Sequence, residues 1–208
     1  MKNLIVLIFC LTFYKINAQE VKPLFDGHKW EAPYALAIPK DWTIERFLIP
    51  ISFAPQILYK GVEDIRFTPG WGNVKADEYW TYTFLWYLDG SPKTNAKIIA
   101  GNLKAYYTGL IEVNAQSHKI PAENLIPVIT SFKKVQTEKG DRKTFNGTIK
   151  MLDYMQQKPI TLNCIVHLRP CLQENKTILF YELSPKPLTH NIWLSLNQLW
   201  LNFKCKKD

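Results

Sequence analysis

Residues 78–88 read Glu78-Tyr79-Trp80-Thr81-Tyr82-Thr83-Phe84-Leu85-Trp86-Tyr87-Leu88, and this stretch decides the fold class. Successive side chains of an extended chain point to opposite faces, so Trp80, Tyr82, Phe84, Trp86 and Leu88 share one side, and Tyr79, Thr81, Thr83, Leu85 and Tyr87 the other. Both sides are rich in aromatic and β-branched residues. The segment predicts a central strand covered on both faces. Upstream, Trp42–Phe53 predicts a strand interrupted at Pro50, which has no N–H for a ladder and so marks an edge or a bulge. A short strand is expected at Asp64–Thr68, and residues 19–41 carry too many Pro and Gly for regular structure and are expected to wrap the domain.

Downstream, Asp89-Gly90-Ser91-Pro92 ends the central strand. Ser91 is the expected N-cap of a helix with Pro92 in its first turn, where a missing N–H costs little. Ile99, Leu103, Tyr106 and Leu110 form the apolar stripe of this helix, which is expected to end near Glu112. Four strand signals follow, Val128–Gln136, Thr144–Leu152, Ile160–Arg169 and Thr177–Leu183, separated by turns short enough to make them an antiparallel meander. Pro185 and Pro187 stop the last strand, and a final helix begins at Thr189 or His190 with Trp193, Leu196, Leu199 and Trp200 on one face. The order is β-β-β-α-β-β-β-β-α: an α+β domain with an antiparallel sheet and packed helices.

The 208 residues are 47% hydrophobic and 21% charged, the balance of a globular protein with one core. Residues 1–18 follow the secretory plan, with Lys2, an apolar run from Leu4 to Phe13, and Ile16-Asn17-Ala18 before Gln19. Cleavage after Ala18 leaves a single domain at 19–208 in a secreted or periplasmic compartment. The apolar run falls short of the about 20 residues of a membrane span, and no later stretch supplies one. Cys10 lies inside the apolar run, so lipid anchoring is not expected. Without Lys2 and Lys15 the net charge falls from +8 to +6. The lysines are scattered and lack interleaved aromatics, which argues against a nucleic-acid partner.

The segment Ile38-Pro39-Lys40-Asp41-Trp42 before the first strand, with a helix after the third strand, a meander and a closing helix, resembles the PsbP-like family, which implies an α/β/α sandwich. The leader ending in Asn17-Ala18-Gln19 and the tryptophan-rich Tyr79–Leu88 strand resemble uncharacterised secreted proteins of Bacteroidetes bacteria. That second resemblance implies a compartment and no activity.

Chemistry-bearing motifs are sparse. His28, His118, His167 and His190 stand alone, and no cysteine pair has ligand spacing, so neither a metal nor another cofactor is expected. There is no G-x-S-x-G, S-x-x-K or phosphate loop. Carboxylates at Glu63-Asp64 and Asp77-Glu78 flank the loop Phe67-Thr68-Pro69-Gly70-Trp71-Gly72-Asn73. Paired acids serve glycoside hydrolysis, but strand neighbours point to opposite faces, so both pairs read first as solvated strand ends. Trp71 either presents a flat surface to a sugar or peptide or folds back as a plug over the core. His167, on the mixed face of its strand, reads as a hydrogen-bonded surface residue. Asn146-Gly147-Thr148 and Asn175-Lys176-Thr177 match the glycosylation pattern, without meaning in a bacterial compartment.

The expected function is binding of a protein or carbohydrate partner by a monomeric, non-enzymatic domain, with Trp71, Asn73, Glu63 and Asp77 as candidate ligand residues. A hydrolase with its site dispersed over the loops near Trp71 is the alternative. Cys164, Cys171 and Cys205 remain after removal of the leader. Cys164 in mid-strand lies about 20 Å from Cys171 along an extended chain, and a disulfide needs Cα atoms within about 7 Å. Cys171–Cys205 is therefore the candidate bridge, three free thiols the alternative, and Cys164 an expected small buried hydrophobe.

Overall fold

The computed structural model describes residues 25–206, and residues 1–18, expected to be a leader, lie outside them. Seven antiparallel strands form one open sheet in the order β1-β2-β3-β7-β6-β5-β4. The strands are β1 (Thr43–Ile49), β2 (Gly61–Phe67), β3 (Tyr82–Asp89), β4 (Ile129–Lys134), β5 (Lys143–Asp153), β6 (Lys158–Cys171) and β7 (Lys176–Ser184). Helix α1 (Ala96–Ser117) carries the chain from β3 to the far edge at β4, and the meander then returns until β7 pairs with β3. Helix α2 (Ile192–Leu201) closes the chain.

The element order matches the sequence pattern, and the boundaries differ for local reasons. Strand β1 stops at Ile49, before the cis Ile49–Pro50 bond, whereas the sequence suggested continuation to Phe53. Strand β2 starts three residues earlier than Asp64, at Gly61, where a Cβ would lie 2.0 Å from the Tyr87 carbonyl oxygen. Only glycine fits there. Tyr79 and Trp80 lie outside β3, in a turn where Trp80 takes a left-handed backbone (φ 53°) and donates its N–H to the Trp71 carbonyl. A bulky residue rarely adopts that conformation, and here burial of the whole indole among Trp71, Tyr82 and Tyr154 holds it.

Asn95, not Ser91, caps α1: its side-chain oxygen accepts from the Ile98 N–H at 2.9 Å. Residues 91–95 carry no regular secondary structure, and Asn95 itself is extended. The helix also runs past Glu112 to Ser117, because no Gly or Pro interrupts 112–117 and Ala115 is buried in the core. Helix α2 starts at Ile192, two residues after His190, whose ring accepts the Ile192 N–H.

The two helices cover opposite faces of the sheet. Register places Glu63, Ile65, Phe84, Trp86 and Tyr181 on one face, in one core cluster with Leu103 and Tyr106 of α1. Leu85, Phe180 and Tyr87 point the other way and pack with Trp200 of α2, Phe203 and Tyr34. The 25–42 segment wraps this second face, tied by a backbone pair between Ala35 and Lys204. Cys171, at the end of β6, is bridged to Cys205 beyond α2, with Cα atoms 5.4 Å apart. Cys164 is a free, fully buried thiol on the α1 face beside Leu162 and Val166.

Candidate functional site

Helix α1 packs over β4 and β5 and departs from the β1 end of the sheet. The face over β1 and β2, beyond Tyr106 of the helix against Phe84 and Trp86, is consequently closed by loops. On one side the 50–58 segment presses Phe53 against the helix, so close that a Cβ on Gly109 would lie 1.7 Å from the Phe53 carbonyl oxygen. On the other side the 68–81 loop is drawn together by its own polar groups. Thr68 Oγ1 donates to the Thr81 carbonyl at 2.7 Å, and the Glu78 carboxylate accepts the Gly70 N–H at 2.9 Å.

Between these flaps a crevice of about 280 Å³ remains open to solvent. Phe47, Phe67 and Tyr82 of the sheet form its floor, with Ile65. Trp71, Trp80 and Tyr154 wall one end; Phe53, Tyr106 and Leu110 wall the other. Eight of its twelve lining residues are thus aromatic, and the rings contact one another in a chain that includes Phe67–Trp71 at 4.5 Å and Phe53–Tyr106 at 5.2 Å. Such a surface is suited to flat, apolar or cationic ligands, for which ring faces supply both area and a negative π surface. The two non-aromatic polar residues of the lining are Glu45 and Asn114.

Of the four ligand residues expected from sequence, one lines the crevice. Trp71 is half-buried, its ring set between Phe67 and Trp80, so it is neither a free platform nor a sealed plug but a wall. Asn73 is exposed and spends its side-chain oxygen on the Lys75 N–H, shaping the turn. Asp77 is exposed on the outer surface, paired with Lys186 and His190. Glu63 is fully buried in mid-strand, accepting from the Trp86 indole N–H at 3.1 Å. Burial pushes its carboxyl up to about 8, only partly opposed by the bonds from Trp86 and Tyr106, so it is mostly uncharged at neutral pH. Glu63 and Asp77 share no partner, and the reading of Glu63-Asp64 as solvated strand ends is corrected: both are sealed inside, on opposite faces.

Asp64 anchors the second face. It accepts from Tyr34 Oη at 2.8 Å and Arg46 Nε at 3.2 Å, and pairs with the Arg66 guanidinium at 2.9 Å. His167 needs the same correction. It is fully buried beneath α2 instead of lying on the surface. Its Nδ1 lies 2.8 Å from Asp141 and its Nε2 3.2 Å from Glu182, while its ring stacks on Trp200 at 5.1 Å. Burial alone would push the imidazole down, but the bonds to the two carboxylates outweigh it and hold the ring up at about 9. A His between two carboxylates has the parts of an acid–base relay, but here the ring is closed off from any substrate. Trp200 Nε1 and Thr144 Oγ1 occupy Asp141, and Asn197 occupies Glu182. The arrangement is a charged clamp between sheet and helix.

Among the described residues one group of three potential metal ligands converges, Cys171, Glu174 and Cys205, and its two thiols are joined in the disulfide. No helix among the described residues is long and apolar enough to cross a membrane. Sequence reasoning missed Glu45, Phe53, Tyr106 and Tyr154 as site residues. The alternation of Glu45 and Phe47 on one side of β1 was the available signal, but which face it met depended on the unseen course of α1. The fold and crevice define an α/β/α arrangement with an aromatic-lined opening under the 68–81 loop. No family model, curated protein or solved structure matches the chain.

Proposed function

We propose that this chain is an exported, non-enzymatic binding domain whose ligand occupies the crevice beneath Trp71. The observation that carries the reading is a preformed opening walled by eight aromatic side chains, on a face that α1 otherwise covers. Trp80, Tyr82, Tyr106 and Tyr154 are buried, and the rings that reach water are those of Phe47, Phe53, Phe67 and Trp71, apolar surface whose exposure is unfavourable unless something covers it. Export is supported by the leader pattern of residues 1–18, and periplasmic or extracellular placement agrees with the Cys171–Cys205 bridge, since disulfides persist in oxidising compartments. The PsbP-like element order is part of the same proposal and adds no ligand. The dispersed hydrolase loses its motivation, because Glu63 and Asp77 occupy separate environments.

The test is a thermal-shift panel of small aromatic, ammonium and sugar compounds on the wild-type chain and on Leu110→Trp, which fills the crevice from the helix side. A binder present at 100 times its Kd adds about 2.7 kcal/mol to stability, a readable rise in Tm. The rise should vanish in Leu110→Trp. A panel without any shift, or a shift that survives in Leu110→Trp, would remove the crevice as the site.

A further inference from the structure

Resting on the reading of the crevice as a ligand site, we propose that its ligand is an organic cation, a substituted ammonium group held against the aromatic walls with Glu45 as its counter-ion. Glu45, on β1 at the mouth, is exposed, and its carboxylate has no ion pair or hydrogen bond among the described residues. Arg46, its neighbour in sequence, points to the opposite face and is bound to Asp64. Asn114 donates one amide N–H to the Leu110 carbonyl at 2.8 Å, and its oxygen remains as an acceptor beside the second N–H. The indole N–H of Trp71 is closed to solvent, so its half-buried ring contributes π surface and no accessible donor, while Trp80 is fully buried behind it.

The two non-aromatic polar residues of the crevice therefore offer acceptors. No Lys, Arg or His lines it, in a chain whose formal net charge is +8. An anionic ligand would meet Glu45 and find no compensating cation. A hydrocarbon would satisfy the rings but strip water from a carboxylate without replacing its partner, which is unfavourable. An ammonium group with methyl or methylene substituents answers both demands: its positive charge is attracted to the ring faces, most strongly to tryptophan, and to the carboxylate at the rim. Trp71 supplies that surface at one end, held edge-to-face against the fully buried Trp80 with ring centroids 5.7 Å apart, and the partly exposed rings of Phe47, Phe53 and Phe67 extend it.

The experiment compares choline with its uncharged carbon isostere, 3,3-dimethylbutan-1-ol, on the full chain, by tryptophan fluorescence and titration calorimetry. Choline should bind at least about tenfold more tightly than the isostere, and its affinity should fall with added salt because the rim pair is exposed. Glu45→Gln, a change at an exposed position, should weaken choline about tenfold and leave the isostere unchanged. Equal affinities, or a choline affinity indifferent to Glu45→Gln, would overturn the cation assignment and leave a crevice for neutral ligands. If neither compound binds and the wider panel is also silent, the ligand-site reading fails first and the cation assignment with it.

Discussion

The two faces of the sheet solve burial in opposite ways. The α1 face is nearly all hydrocarbon and aromatic ring: Phe84 stacks on Tyr181 at 4.3 Å and on Tyr106 at 5.5 Å, and the acid it buries, Glu63, is kept neutral. The α2 face keeps its charges and pairs them, with Asp64 among Arg46, Arg66 and Tyr34 at one end and His167 between Asp141 and Glu182 at the other. The difference follows from what covers each face. A long helix with apolar residues on successive turns covers the first, whereas a short helix and an irregular N-terminal segment cover the second. Irregular chain brings unpaired backbone groups that polar side chains must satisfy: Arg46 donates to the carbonyls of Gly27 and Trp30, and Arg169 to those of Gly140 and Phe203. The crevice sits on the face whose chemistry is apolar, at the end α1 leaves open.

The largest effect should come from the aromatic face. Trp86→Ala removes a fully buried indole and takes from Glu63 its Trp86 donor, so a loss near the upper end of about 3–5 kcal/mol is expected in denaturant melts. A loss under about 1 kcal/mol would mean that this face is not the principal core. The charged face should yield a smaller number. His167→Leu should cost about 3 kcal/mol, the low end for breaking a buried pair, because Asp141 keeps the Thr144 and Trp200 donors and Glu182 keeps Asn197. A stabilised variant would show that the clamp serves specificity and not stability.

The most diagnostic effect is in pH. Glu63 has its folded value raised to about 8, so its cost is absent below the unfolded value near 4.5 and grows as pH rises to about 8. His167 is raised to about 9, so its contribution is fully present below about 6.5 and is lost as pH climbs through 9. Both faces thus lose stability in the same direction, by on the order of a few kcal/mol between pH 5 and pH 9. Single variants separate them. Glu63→Gln, which keeps an acceptor for Trp86, should flatten the limb from 4.5 to 8, and His167→Leu the limb from 6.5 to 9. A wild-type curve that rises over this range would contradict the burial of both groups.

Element order was legible in the sequence because β3, β6 and β7 alternate strongly and the turns between β4 and β7 are short. Spacing set aside a Cys164–Cys171 bridge and left Cys171–Cys205 beside three free thiols, and the return of the chain after α2 to the end of β6 decides between them. The charged interior was not legible. A pair such as Glu63-Asp64 reads as solvent-facing until the partners are known, and those partners, Tyr34, Arg46 and Trp86, come from three other parts of the chain. His167 misled for the same reason, since Asp141 and Trp200 reach it from a loop and a helix remote in sequence. For the site, Trp71 could be picked out by its glycine-flanked loop, but the crevice exists because Gly109 lets the Phe53 segment touch α1. Neither residue signals the other.

The position of β7 in the sheet carries a kinetic consequence. Strands β1–β3 and β4–β6 meet only through β7, which pairs Tyr82 with Leu183 and Asp89 with Lys176 on one side and follows β6 on the other. Until Lys176–Ser184 has joined, the β3 edge presents unpaired backbone along the most aromatic strand of the chain. Contacts of such high separation in sequence slow folding, and a bare apolar edge invites pairing with another molecule. Of the seven described strands the one synthesised last is therefore the one that completes the centre, and a chain truncated before residue 176 would hold two half-sheets with no seam between them.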